Sequence, residues 1–560
     1  MASSYDDHDP TTLDEEPRNP YASANKWRHQ ESSAFARAAV ARDAHSSSAD
    51  TRDLSNFLNS TRVEPNHTAT NGTGPGNFQP ITIGADNDTG GKEVICGPLL
   101  NYRRMEAGVW YGSALVVTAG GGKTQSFKPV LHLGRVDVAG DQQGLVEPGP
   151  AASGAEVNEQ NGIRTNHGTD IEGTCLYSDP RATFWQFSLA CDIADTETKW
   201  AYNIADVTYK STTKPKTNYF FVPARDEAMR IMFCSCNGFS VGTDEDAWSG
   251  CALWNDVMRS HARAPLHVMI GGGDQIYNDG IRVDGPLREW TDIGNPKKRR
   301  DYPFPESLRQ ACDDYYLNNY LEWYSIEPYA QANGQIPQLN IWDDHDIIDG
   351  FGSYVNDFMK CDVFRGIGGT AHKYYLLFQH HIAPPAATYT TDAPATTDGG
   401  PNHDPAQSKD TFVAKQTWDQ SYIVGSKPGP YVAEHSMNMF TQLGARIAFM
   451  GIDARTERTR HQVNYPETYD LIFDRVRQEL RDAAAAGRPF KHLILLLGIP
   501  IAYPVSCSQH NISGLWLMDY RSDSRGLRMY SLVRSLHPSS SLTEDSALVR
   551  EIRSRYRRAW

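Results

Sequence analysis

The chain has 560 residues, a formal net charge of −14 and only 39% hydrophobic residues. That length exceeds what one hydrophobic core serves, so roughly two or three domains with unstructured segments are expected. The negative charge argues against non-specific nucleic-acid binding as the main activity, while leaving room for a locally positive pocket.

The first stretch, MASSYDDHDPTTLDEEPRNP, is acidic and lacks the apolar centre of a secretory signal. No apolar run approaches the roughly 18 residues that a membrane span needs. Nine cysteines, from Cys96 to Cys507, form no compact framework and read as reduced thiols. A soluble, cytoplasmic protein is expected. Residues 1–92 are rich in Ser, Asp, Asn, Thr and Pro and are expected to form a disordered tail.

Between residues 93 and 226, short apolar or alternating runs at 110–117, 130–133, 183–190, 200–204 and 218–222 predict strands of an antiparallel β-sandwich. Residues 140–169 read as a long surface loop. From 227 to 505 the pattern becomes α/β, with strands at 230–234, 266–270, 339–342, 446–452 and 492–497. Helices are predicted at 248–263, 306–332 and 466–487, with 355–381 largely helical, and a Pro/Thr/Asp-rich insertion covers 383–416.

Two of these strands end in acids. The run at 266–270 opens into GGGDQIYNDG (271–280), and the run at 339–341 into WDDHDIIDG (342–350). Ligand sites of open α/β sheets lie at the carboxyl ends of strands, and glycines there let backbone approach a ligand. One acidic cluster alone reads best as helix capping or a solvated loop. Two clusters, each at the end of a buried strand, point to a metal site, because adjacent carboxylates repel unless a cation lies among them. Asp274 can bridge two ions about 3.5–4 Å apart that clamp a phosphoryl group. His345 can protonate a leaving oxygen or stabilise developing charge. Cys236 reads equally as a small buried hydrophobe or a thiolate ligand. Arg455, in DARTER (453–458), suits bidentate phosphate contact or a structural pair with Asp453.

The segments SCNGF (235–239), GGGDQIYNDG (271–280), WDDHDIIDGFGSY (342–354) and MGIDARTER (450–458) resemble PhoD-like metallophosphatases of the calcineurin-like superfamily. CGPLLNY (96–102) and LLLGIPIAYP (495–504) are similar to the large fungal intracellular type, so the resemblance spans residues 94–504. It implies an N-terminal antiparallel β-sandwich followed by a four-layer α/β/β/α domain with a dinuclear centre. Cys236, Asp274 and Tyr277 would be metal ligands, with Cys236 and Tyr277 favouring iron. Asp344 would stand where the superfamily has a metal-binding Asn, and His345 beside it would act on the transition state. The second ion would be Ca, Mn, Mg or Zn. The implied substrates are phosphate mono- or diesters, small molecules or phospholipid-like, with no nucleic acid and no membrane span.

Family members continue into a Gly-Asp-Val-His motif that completes the metal site. Residues 506–560 here form instead a divergent Arg/Ser-rich tail with only His510 and His537. A truncated or altered C-terminus is therefore expected, with weakened metal binding and little turnover. The competing readings are a catalytically inactive PhoD-like scaffold and, more weakly, a nuclease or phospholipase D-like activity, against which the charge counts.

Overall fold

The computed structural model describes residues 91–122, 126–136, 165–211, 214–238, 251–283, 285–385 and 411–499, with backbone alone at 532–535. The expected tail 1–92 (bar its last two residues), most of the 383–416 insertion and nearly all of 506–560 therefore lie outside the described residues.

The N-terminal strands are β1 (Glu93–Glu106), β2 (Val109–Ala119), β3 (Val130–Val136), β4 (Thr165–Glu172), β5 (Thr174–Ser178), β6 (Ala182–Asp192), β7 (Thr198–Ala205), β8 (Thr208–Tyr209) and β9 (Thr217–Val222). β3, β4, β7 and β9 form a four-stranded antiparallel sheet. It packs on β1 and β2, where Trp110 stacks on Phe220 with ring centroids 5.1 Å apart and Tyr102 lies 5.9 Å from Trp110.

Instead of closing a sandwich of their own, β1, β2, β5 and β6 continue into the strands that carry the acids. β10 (Ile231–Cys234), β11 (Val268–Gly271) and β12 (Gln338–Asn340) are mutually parallel, and β12 pairs in parallel with β1, Asn101 opposite Gln338. With β13 (Phe412–Val413) beyond β5 and β8 beside β1, this makes one mixed nine-stranded sheet. The sequence conceals β1 because Gly97 and Pro98 interrupt its apolar run, and both weaken strand patterns. It conceals β4 for another reason: Thr165–Glu172 has no apolar alternation, and only backbone pairing with β3 makes it a strand. The end of the predicted 140–169 loop is thus extended sheet.

A second, five-stranded sheet runs β14 (Tyr422–Val424), β15 (Met437–Gln442), β16 (Ile447–Ile452), β17 (His492–Leu497) and β18 (Leu532–Ser535). On one face the helix Pro466–Ala485 lays Ile472, Val476 and Leu480, at helical spacing, against Phe440, Met450, Leu493 and Leu495. The two large sheets are tied together: Thr441 Oγ1 donates to the Arg103 carbonyl at 2.8 Å, and Trp342 Nε1 donates to Asp453 Oδ1 at 2.9 Å.

The long helix predicted over 306–332 is two helices, Glu306–Trp323 and Tyr329–Gln335. Pro328 separates them, since a proline disfavours helical backbone in the residue before it. Helix Asp362–Tyr374 packs on the first of these through a buried ion cluster: Lys373 Nζ lies 2.5 Å and Arg181 Nη2 2.6 Å from the Asp313 carboxylate. It runs on into a π-helical segment, Tyr375–His380, which ends at His381 in left-handed conformation (φ +51°). Among the described residues no helix is long and apolar enough to cross a membrane.

Residues 279–303 belong to a separate unit. Its described part is three short helical turns, held by Trp290 Nε1 donating to the Arg299 carbonyl at 2.9 Å, with the Arg299 guanidinium over the Trp290 ring.

Candidate metal centre

Three loops leave the nine-stranded sheet side by side, because β10, β11 and β12 end in register: Cys234 is opposite Gly271, and Gly271 is opposite Asn340. Backbone bonds join the first two loops, from Cys236 N–H to the Gly273 carbonyl (3.2 Å) and from Asn237 N–H to the Asp274 carbonyl (2.9 Å). Cys236 and Asp274 both hold φ of +54°, a left-handed conformation that costs a non-glycine residue and that clusters at functional sites. Gly273, at φ +106°, has no alternative: a Cβ there would come within 2.5 Å of Asp343 Cβ.

Asp274, Asp344 and His345 each offer one ligand atom, and these atoms all lie within 4.8 Å of one another. Asp274 Oδ1 also accepts from the His345 backbone N–H at 3.3 Å. Cys236 Sγ lies 3.6 Å from Asp274 Oδ2. The Tyr277 ring is 4.5 Å from the His345 ring and stacks on Trp323 at 5.8 Å. His345 Nε2 lies 3.8 Å from the buried Asp349 carboxylate. The structure thus brings Cys236, Asp274, Tyr277, Asp344 and His345 together.

Arg455 reaches the same place from the end of β16. Its guanidinium is ion-paired with Asp343 through Nε and with Asp344 at 3.4 Å, and Nη1 donates to the Phe351 carbonyl at 2.9 Å. Asp453, the alternative partner considered for it, instead caps its own turn, accepting from the backbone N–H groups of Arg455 and Thr456, both at 3.0 Å.

The electrostatics are those of a cation site. Burial pushes the Asp274 carboxyl well above the ordinary carboxylate range; His345 opposes this, and Asp343, Asp344 and Asp346 add to it. Burial also raises Asp343 to about 6, against the pull of Arg455. The Cys236 thiol is raised to about 11 by burial and then by the charge of Asp274. Packed acids that resist ionising in isolation are the groups a metal ion stabilises as carboxylates. The donors fit hard or borderline cations: carboxylate oxygens, an imidazole and a thiol.

Two residues in the centre were not distinguished by sequence reasoning. Asp346 carries no ligand atom in the group; it staples the loops, accepting Asp274 N–H (2.7 Å) and Asp343 N–H (2.8 Å) at Oδ2 and Gln275 N–H (3.2 Å) at Oδ1. Its presence in the WDDHD run was the available signal, but nothing in spacing separates a stapling acid from a liganding one. Gln379, 104 residues beyond Gln275, had no local signal at all.

A second group, Glu197, Glu227 and His267, also has ligand-like spacing. Arg230 already fills it, ion-paired with both glutamates and 3.1 Å from His267 Nε2, so it reads as a salt-bridge cluster.

Residues 192–392, which include both acidic loops, match the model of the PhoD related phosphatases. Over those residues the chain is similar to the PhoD related phosphatases. The chain is also 30% identical over 433 residues to the uncharacterized protein YGR266W of Saccharomyces cerevisiae, covering 73% of this chain and 54% of that one. It therefore spans about half the length of that yeast relative. Among solved structures it is similar to PhoD (10% identity, TM-score 0.35, 72% of this chain and 62% of that chain). It is also similar to the purple acid phosphatase PPD1 from yellow lupin (Lupinus luteus) seeds, at 8% identity and TM-score 0.32, over 71% of this chain and 50% of that chain. Likeness at these scores decides nothing about the site.

Proposed function

We propose that the chain is a metal-dependent phosphoric ester hydrolase whose centre lies at the carboxyl ends of β10, β11 and β12. The convergence of Asp274, Asp344 and His345 within 4.8 Å carries the reading. A bound ion there would supply Lewis-acid polarisation and a water nucleophile at neutral pH. Asp274 and Asp344 would hold it, with Cys236 and Tyr277 completing a set that favours iron. Asp274 would be shared with a second ion, Ca, Mn, Mg or Zn. His345, held between the Tyr277 ring and Asp349, would deliver a proton to the leaving oxygen. Arg455 would place a fixed positive charge beside the phosphoryl group. The substrates would be phosphate mono- or diesters.

The same arginine motivates a second reading, an inactive PhoD-like scaffold. Arg455 already compensates Asp343 and Asp344, as a bound cation would. Turnover of p-nitrophenyl phosphate and bis-p-nitrophenyl phosphate by the full chain decides between them. Metal-dependent hydrolysis that disappears in Asp274→Asn supports the enzyme. A rate unchanged by chelation, or equal in the variant, would defeat it.

A further inference from the structure

The π-helical segment Tyr375–His380 has no part in the ligand set, yet its fifth residue enters the centre from behind. Gln379 is fully buried, and its side chain uses every donor and meets both acidic loops. Nε2 donates to Asp346 Oδ1 and to Tyr320 Oη, each at 3.0 Å, while Oε1 accepts from Gln275 Nε2 at 2.8 Å. Its backbone carbonyl accepts from Asn101 Nδ2 at 2.7 Å and Asn340 Nδ2 at 3.4 Å, fixing the residue against β1 and β12.

Both residues it grips are themselves loop staples. Asp346 collects the N–H groups of Asp274, Gln275 and Asp343. Gln275 accepts Gly273 N–H at 2.8 Å and donates to the Ile341 carbonyl at 2.8 Å. Single π-turns inside α-helices are rare and recur at functional sites, because the wider turn re-aims a side chain. Here the segment follows helix Asp362–Tyr374 directly and closes on a left-handed non-glycine residue, so the local cost is borne on both sides of Gln379.

We propose that Gln379 is a positioning residue of the metal centre, presented by the π-turn so that one amide locks Asp346 and Gln275 and thereby holds Asp274 and Asp343 in register. The proposal rests on the metal-centre reading for its functional consequence, but its structural half does not. With Asp346 taking four donors on two oxygens, loss of the Gln379 amide leaves Oδ1 with the Gln275 N–H alone. The two loops then lose the side-chain hydrogen bonds that join Asp346 and Gln275 to the π-turn.

The test compares the full chain with Gln379→Leu, Gln379→Glu and, as a core lesion elsewhere, Val476→Ala. Amide hydrogen exchange of metal-free protein is followed in peptides covering 272–278 and 343–350, and Mn²⁺ affinity is measured by calorimetry. Both Gln379 variants should exchange faster in those two peptides and bind Mn²⁺ about tenfold or more weakly, as losses of groups that orient metal ligands do. Val476→Ala should lower the melting temperature and do neither. Q379E keeps the size of the side chain, so it carries the result if Q379L does not fold. Faster exchange in a chain whose wild type binds no Mn²⁺ supports the positioning role and sinks the metal-centre reading alone. Exchange unchanged in both peptides, or accelerated equally by Val476→Ala, overturns the proposal.

Discussion

Trp342 Nε1 donates to Asp453 Oδ1 at 2.9 Å, joining the last residue before the DDHD acids to the turn that carries Arg455. This bond is one of those that tie the nine-stranded sheet to the five-stranded one. Asp453 is fully buried and also accepts from Met437 N–H at 2.9 Å, Arg455 N–H and Thr456 N–H at 3.0 Å, and Thr456 Oγ1. Trp342→Phe keeps an aromatic ring beside Tyr375, whose ring lies 4.4 Å away, and removes the donor together with part of the buried indole. It should cost about 1–2 kcal/mol. Asp453→Ala strips an acceptor from several buried donors and should cost about 3 kcal/mol or more. Urea titration of the two variants should rank them in that order, and an equal cost would show that the bond between the sheets is the only one of consequence.

Gly273→Ala should be damaging out of proportion to one methyl. The new Cβ would lie 2.5 Å from Asp343 Cβ, at a backbone angle of +106°. The clash and the strained angle both displace the loop that carries Asp274. We expect a stability loss of about 2 kcal/mol or more, from overpacking plus strain, together with weaker Mn²⁺ binding. A variant with wild-type Mn²⁺ affinity would show that the loop relaxes without moving Asp274.

Arg455→Met tests the competition between a built-in cation and a bound one. The arginine compensates Asp343 and Asp344, and its removal leaves buried acids facing one another. Metal-free protein should lose about 3–5 kcal/mol, the cost of orphaning one side of a buried pair. Saturating Mn²⁺ should then raise the melting temperature of the variant more than that of the wild type. Equal shifts would mean that Arg455 and the ion do not share the acids.

The pH dependence of stability should report Asp313. Burial raises its carboxyl, but Lys373, then Arg181 and Arg309, outweigh burial and hold it below the ordinary carboxylate range. Lys373, lowered to about 8 by its own burial, is still protonated at neutral pH, so the pair is ionic there. A group whose folded pKa is depressed stabilises the protein above its unfolded value and loses that contribution as pH falls through the folded one. The difference in melting temperature between wild type and Asp313→Asn should shrink below about pH 4, and also as pH rises through about 8, where Lys373 loses its proton. A difference that instead grows on acidification would refute the ionic pairing.

The strands at the centre, the acids at their ends and the family resemblance were all legible in the residues. Each depends on neighbours in the chain: an apolar run of strand length, glycines that stop it, and a carboxylate one step further on. The local patterns also placed the helix Pro466–Ala485 and the strand His492–Leu497. What pairing over long separations decides was not legible. β1 joins β12 across more than two hundred residues, so what reads as a separate N-terminal sandwich is continuous with the sheet that holds the centre. Within WDDHD, composition makes four neighbouring groups look alike, and only the fold turns Asp344 toward Asp274 and His345, Asp343 toward Arg455, and Asp346 onto backbone N–H groups. Gln379 is the extreme case. An amide in an apolar helix carries no signal by itself, and its meaning comes from a π-turn that points it at two loops distant in the chain. For the stretch from Gly271 to Asn278, the residues alone determined that it carries an acid suited to a metal. Tertiary structure alone decided which groups hold that acid in place, because those contacts are made between segments whose sequences do not encode one another.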